Sequence, residues 1–550
     1  MALSSHTIYY SKHPDSLMKT IFSMNRKMIL SFVTICVFQF LAYPLGIVRK
    51  QTGENGIMES GVMSEAYWKL WNPEVQARID RDIDQNRKAD AVLHLRDLPE
   101  GTEVKVEQIS HDFIFGAHIF NFNQLGTTGR NQRYKDLFGT LFNSATIAFY
   151  WKTFEMQPNR PRFREEYWDT EAYWNSVPEP KKEPHWRRPA PDPVVEFCES
   201  KGIRLHGHTM IWGNRHWQHP EWLFDHYARA EEKEKISRLA EFASEEKGTI
   251  RDTYTDEYKK MTPDQVAALF PDYSKEMKRL FHKRIVELAD HYRGRINSWD
   301  VVNESATDYH GQCVTGDAVC KSNYGLMPGD YTYEAFRTAD LKLPKYVKLN
   351  INDYANNENY SNQVKDLLVH GCRIDIMGSQ MHLFNPQQCL DVADGKLIES
   401  PQQVWDKMET ISKAGLPIHL SEITITSPND DERGREIQAV IARNLYRLWF
   451  SIQPMMGITW WNVVDDCGAP GEPSVSGLFT RDMQPKKSFY ALDKLINQEW
   501  KTNMTVAAGE NGKVLFRGFK GRYRVSWKDK SGKEQQAEFY LKNDGDGIRD

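Results

Sequence analysis

Two glutamates each stand directly behind a short apolar run, Glu304 in SWDVVNES (Ser298–Ser305) and Glu422 in LPIHLSEITIT (Leu416–Thr426). Facing carboxylates are what cleavage of a glycosidic bond requires. One must carry a proton for the leaving oxygen, and the other must stay ionised to attack or to activate water. Asn303 lies beside Glu304, and Gln380 and His382 close a further apolar run, GSQMH. Hydrogen bonds from His or Asn hold the ionised group, while a less solvated setting raises the pKa of the other. Either glutamate alone is consistent with a solvated strand end. The pair, with these polar neighbours, points to a site.

The elements that must position them alternate. Short apolar or aromatic strands are expected at Phe113–Ala117, Ser144–Tyr150, Ile203–His208, Ser298–Val302, Tyr346–Leu349, Ile374–Ser379, Ile418–Ser421 and Gly457–Trp461. Amphipathic helices separate many of them, such as Ser274–Gly294 and Arg435–Ser451. Alternation of this kind gives a parallel sheet. Eight strands favour an α/β fold of the (β/α)8 (TIM barrel) type over an open sheet, and no Gly-rich phosphate turn follows any of them. Chemistry in such a barrel sits at the C-terminal strand ends. Six ends carry polar or aromatic residues: His206, His208 and Trp212; Asn303 and Glu304; Asn350, Asn352 and Asp353; Gln380 and His382; Ser421 and Glu422; Trp460, Trp461 and Asp465. Strands four and seven, which bear the glutamates, lie across the barrel from each other.

The rest of the chain frames this barrel, which the pattern places at 113–500 with insertions near 167–193 and 227–271. Residues 1–45 form a signal-peptide region, with Met24 as the alternative start. Arg26 and Lys27 precede an apolar body too short for a membrane span, and Pro44 follows it. Residues 59–112 supply an N-terminal helix and strands, and 501–545 supply C-terminal strands. Alternation at both ends predicts that they pair into a small β layer against the barrel.

Composition narrows the classes. A formal net charge of -4 over 550 residues offers no basic face for nucleic acid. The 16 Trp, 24 Tyr and 26 Phe fill cores, and some are suited to stacking on sugar rings. Seven cysteines show no C-x-x-C pair, although Cys313 and Cys320 are close enough to bridge or to remain buried thiols. His206 and His208, with His382 and Asp465, make a zinc-dependent barrel hydrolase the rival chemistry. The H-x-H there follows the third strand, where enzymes of that kind place it after the first.

Taken together, WDVVNES, LPIHLSEITIT, GHTMIW, LNINDY, GSQMH, GITWWNVVDD and SGLFTRDMQPKKSFYAL resemble, in the right order from about Phe113 to Trp500, the motifs of glycoside hydrolase family 10, the endo-1,4-β-xylanases. The resemblance implies a TIM barrel and a retaining double displacement on xylan, with no metal or cofactor. It implies Glu304 as general acid/base and Glu422 as nucleophile. His208, Asn303, Gln380 and His382 would bind the sugar at the cleavage point or orient the carboxylates. Lys152 would bind sugar after the second strand, and Trp461 would cover a sugar face. Trp212 and Asn352 complete the expected substrate-binding set. The expected protein is a secreted, periplasmic or cell-surface monomer acting on xylan or xylo-oligosaccharides, with no nucleic-acid partner and no membrane contact beyond its signal.

The departures fall on one side. Ala148 and Phe149 stand where the family has Glu-Asn, Gly213 replaces a His, Arg215 a Gln and Asn462 a Gly, and a second Trp of the last loop is missing. The expectation is an intact cleavage centre with a rebuilt non-reducing side, and hence an altered chain preference: decorated xylan, short oligosaccharides or a related β-linked glycan. The alternative is a homologue that binds glycans and has lost catalysis.

Overall fold

The computed structural model describes residues 61–241, 253–316, 320–322 and 325–549. The expected signal region, with Cys36, lies outside the described residues, as does part of the second insertion. Among the described residues no helix is long and apolar enough to cross a membrane.

Eight strands close a barrel in chain order: Ile114–His118, Ser144–Ala148, Arg204–Trp212, Ser298–Asn303, Lys348–Asp353, Ile376–Leu383, Ile418–Ile425 and Met455–Trp460. Each pairs in parallel with its sequence neighbours, and the eighth returns to the first. Strands covered on both faces read as continuous apolar runs, and every residue of Ile418–Ile425 is buried. The third, fifth, sixth and seventh strands run past their expected ends. Gln380, His382 and Glu422 therefore sit within the ladder rather than beyond it. Polar residues usually mark where a strand meets water, but a closed barrel keeps pairing around its polar mouth.

Helices cover the outside. Pro271–Tyr292 starts on a proline, and buries Met277, Leu280, Phe281, Arg284, Ile285 and Leu288 at helical spacing. Glu432–Ser451 is capped by Asp431, whose carboxylate accepts the Gly434 N–H at 2.7 Å. The N-terminal helix Pro73–Arg87 lies on it, with Arg447 reaching Gln76 and Asp80.

The terminal strands pair with one another in two sheets. Lys88–His94 pairs with Lys513–Phe519, and Glu103–His111 sits between Asn503–Ala507 and Gly521–Lys528, with Glu534–Leu541 outermost. Alternate residues of these strands, including Ala91, Leu93, Val104, Val106, Val514, Tyr523 and Val525, form a separate small core. Cys313 is a buried free thiol.

The insertion at 167–193 is an ordered lobe. Short turns at Tyr167–Asp169 and Pro180–Lys182 flank a helix at Glu171–Asn175. Its centre is Asp169, which accepts hydrogen bonds from Arg162 Nη1 at 2.6 Å and from Arg187 Nε and Nη2 at 2.9 and 3.0 Å. The second insertion carries helices at Ala230–Leu239, Asp256–Lys260 and Pro263–Leu269.

Candidate active site

Neighbouring residues on a strand point to opposite faces, so Asn303 and Glu304 cannot share a site while the strand continues. The chain resolves this at Glu304. Its φ of +54° turns the backbone into the left-handed region just after the strand, and its N–H donates to the Asn352 carbonyl at 2.7 Å. Both side chains then face the mouth. The seventh strand uses another device. Its pairing with the sixth slips between Leu420 and Glu422, leaving Ser421 as an extra residue. A bulge of this kind re-aims side chains next to active sites.

The result is one hydrogen-bonded cluster. Gln380 Nε2 lies 3.2 Å from Glu304 Oε1 and 3.2 Å from Glu422 Oε1. The two carboxylate oxygens are therefore no farther apart than twice that distance. Glu422 is buried, and Asn352 Nδ2 donates to its Oε1 at 2.7 Å. His382 Nε2 stands 3.4 Å from Glu422 Oε2, and His208 Nδ1 stands 3.8 Å from Oε1. Glu304 is half-buried, and Trp212 Nε1 donates to its Oε2 at 3.1 Å. Asn303 Oδ1 accepts from Asn352 Nδ2 at 2.8 Å, so the amide beside one glutamate is tied to the amide that holds the other.

Asp300 lies beneath this cluster and was not among the sequence candidates. Its Oδ2 is 2.9 Å from His206 Nε2 and 2.8 Å from His208 Nδ1. Burial alone would raise its carboxyl, but the charges and hydrogen bonds of the two histidines outweigh it and hold Asp300 ionised well below the usual range. His208 is shifted the other way. Burial opposes its charge, yet Glu422 and then Asp300 raise it above its ordinary value. A signal was present in the sequence: His206 and His208 alternate on one strand, and Ser298 and Asp300 alternate in register on the next.

The zinc set does not assemble. Asp465 pairs with Lys486 at 3.1 Å, and among the described residues these four do not bring their ligand atoms together. Of the substrate-binding candidates, His208, Trp212, Asn303, Asn352, Gln380 and His382 meet around the carboxylates. Trp461 joins them from the eighth strand, edge-on to His208 at 5.7 Å and to His382 at 6.3 Å. Lys152 stands apart, and its Nζ pairs with Glu221 at 3.3 Å.

Two of the departures from the family pattern, Ala148 and Phe149, face different surroundings. Phe149 is fully buried against Trp299, with ring centres 4.7 Å apart, and turns away from the mouth. Ala148 packs with Phe120 and Trp461, and Tyr150 borders them. The Tyr150 ring faces His208 at 5.7 Å and Trp212 at 6.1 Å. Aromatic rings thus stand beside the position where the family pattern has a polar pair.

A glycine guards the amide at the centre. Gly378 pairs with Asn352 across the fifth and sixth strands. A Cβ there would overlap Asn352 Oδ1 and come within 3.0 Å of its Cβ and Cγ. Gly378→Ala must displace Asn352 and, with it, its bond to Glu422. Overpacking of this sort costs about 1–3 kcal/mol. The expected result is a lower unfolding midpoint together with a fall in kcat. An unchanged kcat would show that Asn352 does not position Glu422.

Asp353 supplies a pH prediction. It is fully buried and accepts N–H groups of Ala306 and Ala355, each at 2.8 Å. Burial pushes it up to about 7, against the pull of those two bonds and with help from Glu304. Between its ordinary value and about 7 the folded chain holds a proton that the unfolded chain has released, so this stability is full in acid and is lost as pH rises through about 7. Asp353→Asn is expected to flatten the fall in unfolding midpoint between pH 4 and 8, whatever it costs at pH 4. An unaltered slope would contradict the assignment.

The family model for glycosyl hydrolase family 10 matches residues 107–495. The chain belongs to this family. Among curated relatives, endo-1,4-beta-xylanase A of Caldicellulosiruptor sp. (strain Rt8B.4) is 26% identical over 316 residues, covering 55% of this chain and 38% of the relative. Endo-1,4-beta-xylanase A of Halalkalibacterium halodurans is 29% identical over 212 residues, covering 37% of this chain and 43% of the relative. Anti-sigma-I factor RsgI6 of Acetivibrio thermocellus is 23% identical over 335 residues, covering 61% of this chain and 34% of that one. This family 10 chain thus spans less than half the length of these relatives. Among solved structures, native xylanase 10B from Thermotoga maritima is 19% identical with a TM-score of 0.47, covering 70% of this chain and 96% of that one.

Proposed function

We propose that this family 10 protein is a retaining glycoside hydrolase that cleaves internal β-1,4-xylosidic bonds. The observation that carries the reading is the single amide nitrogen of Gln380, 3.2 Å from a carboxylate oxygen on the fourth strand's end and from another on the seventh. The shared donor sets the two groups on one short bridge, and the retaining course, with carboxyls about 5–5.5 Å apart, is the one that membership of family 10 implies. Glu422, buried among Asn352, Gln380, His382 and His208, is the nucleophile, the role its family motif gives it. Glu304, less buried, is the general acid/base, the role its family motif gives it.

In the first step the Glu304 carboxyl gives its proton to the glycosidic oxygen as the bond from C1 to that oxygen breaks. A Glu422 oxygen forms a covalent bond to C1. In the second step Glu304, now a carboxylate, takes a proton from water as the water oxygen attacks C1 and Glu422 leaves. Asn303 grips the neighbouring hydroxyl, whose hydrogen bond strengthens in the transition state.

The test is reducing-sugar release from xylan, arabinoxylan, glucuronoxylan and mixed-linkage glucan, with Glu422→Ala as control. Release from a xylan that vanishes in the variant supports the reading. No release from any polymer by folded protein contradicts it. The second reading, a glycan-binding protein without catalysis, draws on the departures from the family pattern at Ala148 and Phe149. It predicts xylan binding with no release. Export from the cytoplasm remains part of the proposal and rests on the basic and apolar pattern of Met24–Gly46.

A further inference from the structure

The lobe at 167–193 returns to the barrel through three arginines treated differently. Arg162 and Arg187 share Asp169. Arg188, 5% exposed, has no ion pair and no hydrogen-bond acceptor for its guanidinium among the described residues, and its Nε is sealed from solvent. Burial pulls the guanidinium down from its ordinary value, and Glu472, which makes no hydrogen bond to it, is the main charge opposing this; a buried guanidinium with no hydrogen-bonded partner is costly to fold. It is also held still. The Arg188 carbonyl accepts from Arg162 Nη2 at 3.0 Å, and the Arg187 carbonyl accepts from Gln124 Nε2 at 2.9 Å.

Its place ties it to the cleft. The guanidinium carbon lies 4.8 Å from the centre of the Phe120 ring and 4.9 Å from that of Trp186. Phe120 meets Trp461 at 5.1 Å and Tyr150 at 6.0 Å, the rings that border His208 and Trp212. The nearby Glu472 is already taken by Trp461 Nε1 at 3.1 Å and by the Ala469 N–H at 2.6 Å. On this same side Ala148 offers no polar atom. The Ala148 side of the cleft is thus an aromatic wall with a fixed cation against it.

We propose that Arg188 binds the carboxylate of a uronic acid unit of the glycan, held on the Ala148 side of the catalytic pair. A planar guanidinium fork matches a carboxylate with two parallel hydrogen bonds. The aromatic wall of Phe120, Tyr150 and Trp461 excludes water and strengthens that contact. This inference rests on the glycosidase reading and names the class of substrate that its rebuilt side takes.

The experiment compares kcat/KM of the native protein, Arg188→Gln and Arg188→Lys on xylo-oligosaccharides of equal length, plain or with one glucuronic acid branch. The native protein is expected to prefer the acidic substrate by about 10- to 100-fold, the range of a hydrogen bond to a charged group. Arg188→Gln is expected to bring the ratio of the two substrates close to one, and Arg188→Lys to restore part of it. Calorimetric binding of the same oligosaccharides to Glu422→Ala, with and without Arg188→Gln, reads the same ratio without turnover. No acidic preference in the native protein, or an equal loss on both substrates in Arg188→Gln, overturns the assignment. Absence of cleavage with the binding preference intact, and lost in Arg188→Gln, overturns the hydrolase reading and leaves Arg188 as the acid-binding residue.

Discussion

Glu422→Ala is expected to lower xylan hydrolysis by about 10^5-fold, equivalent to roughly 7 kcal/mol of transition-state stabilisation. The loss is large because, among the described residues, the neighbouring carboxylates are engaged elsewhere. Glu304 is committed to the opposite role, and Asp300 is locked beneath by His206 and His208. The substitution leaves a small space lined by donors from Asn352, Gln380 and His382, a suitable seat for a small anion. Added azide should therefore enter, attack C1 of an activated aryl glycoside while Glu304 protonates the leaving group, and restore turnover. A single displacement yields an α-glycosyl azide. A variant that keeps a tenth of native activity, or yields the β-azide, would remove Glu422 from the nucleophile's place.

Glu304→Ala should behave differently, and the difference identifies the acid. General acid–base catalysis contributes about 10^2–10^4-fold. That whole factor is expected to be lost on xylan, whose leaving hydroxyl needs a proton. On an aryl glycoside with a good leaving group the first step needs little help, so the covalent intermediate forms and waits for a deprotonated water. Azide, which needs no base, should then release the sugar from Glu422 as the β-azide. Equal losses on xylan and on the aryl substrate, with no azide product, would mean that Glu304 does not move the proton.

The two glutamates and the barrel were legible because the signals are local. Apolar strands of the right length announce themselves, and a carboxylate directly behind one is conspicuous. The placement of Glu304 was not legible, since it depends on a left-handed backbone at a residue type that rarely adopts it. The strand ends were set too early at Ile374–Ser379 and Ile418–Ser421, because polar residues were read as the rim when they line the inside of a closed ladder. Trp461 was legible as a ring at the mouth, but its burial against Phe120, Ala148 and Tyr150 needs three strands in place. Arg188 was hidden for another reason. In the sequence it is one of two adjacent arginines, and only the geometry of Asp169 separates the satisfied one from the other.

The most direct test of the central claim is the anomeric form of the first product. Proton NMR of a xylo-oligosaccharide, recorded in the first minutes after adding the native protein, reads the new reducing end before mutarotation scrambles it. Two successive displacements at C1, by Glu422 and then by water, predict that the β-anomer appears first and the α-anomer grows in later. An α-anomer appearing first would contradict the covalent role of Glu422, and no product at all would contradict hydrolysis itself.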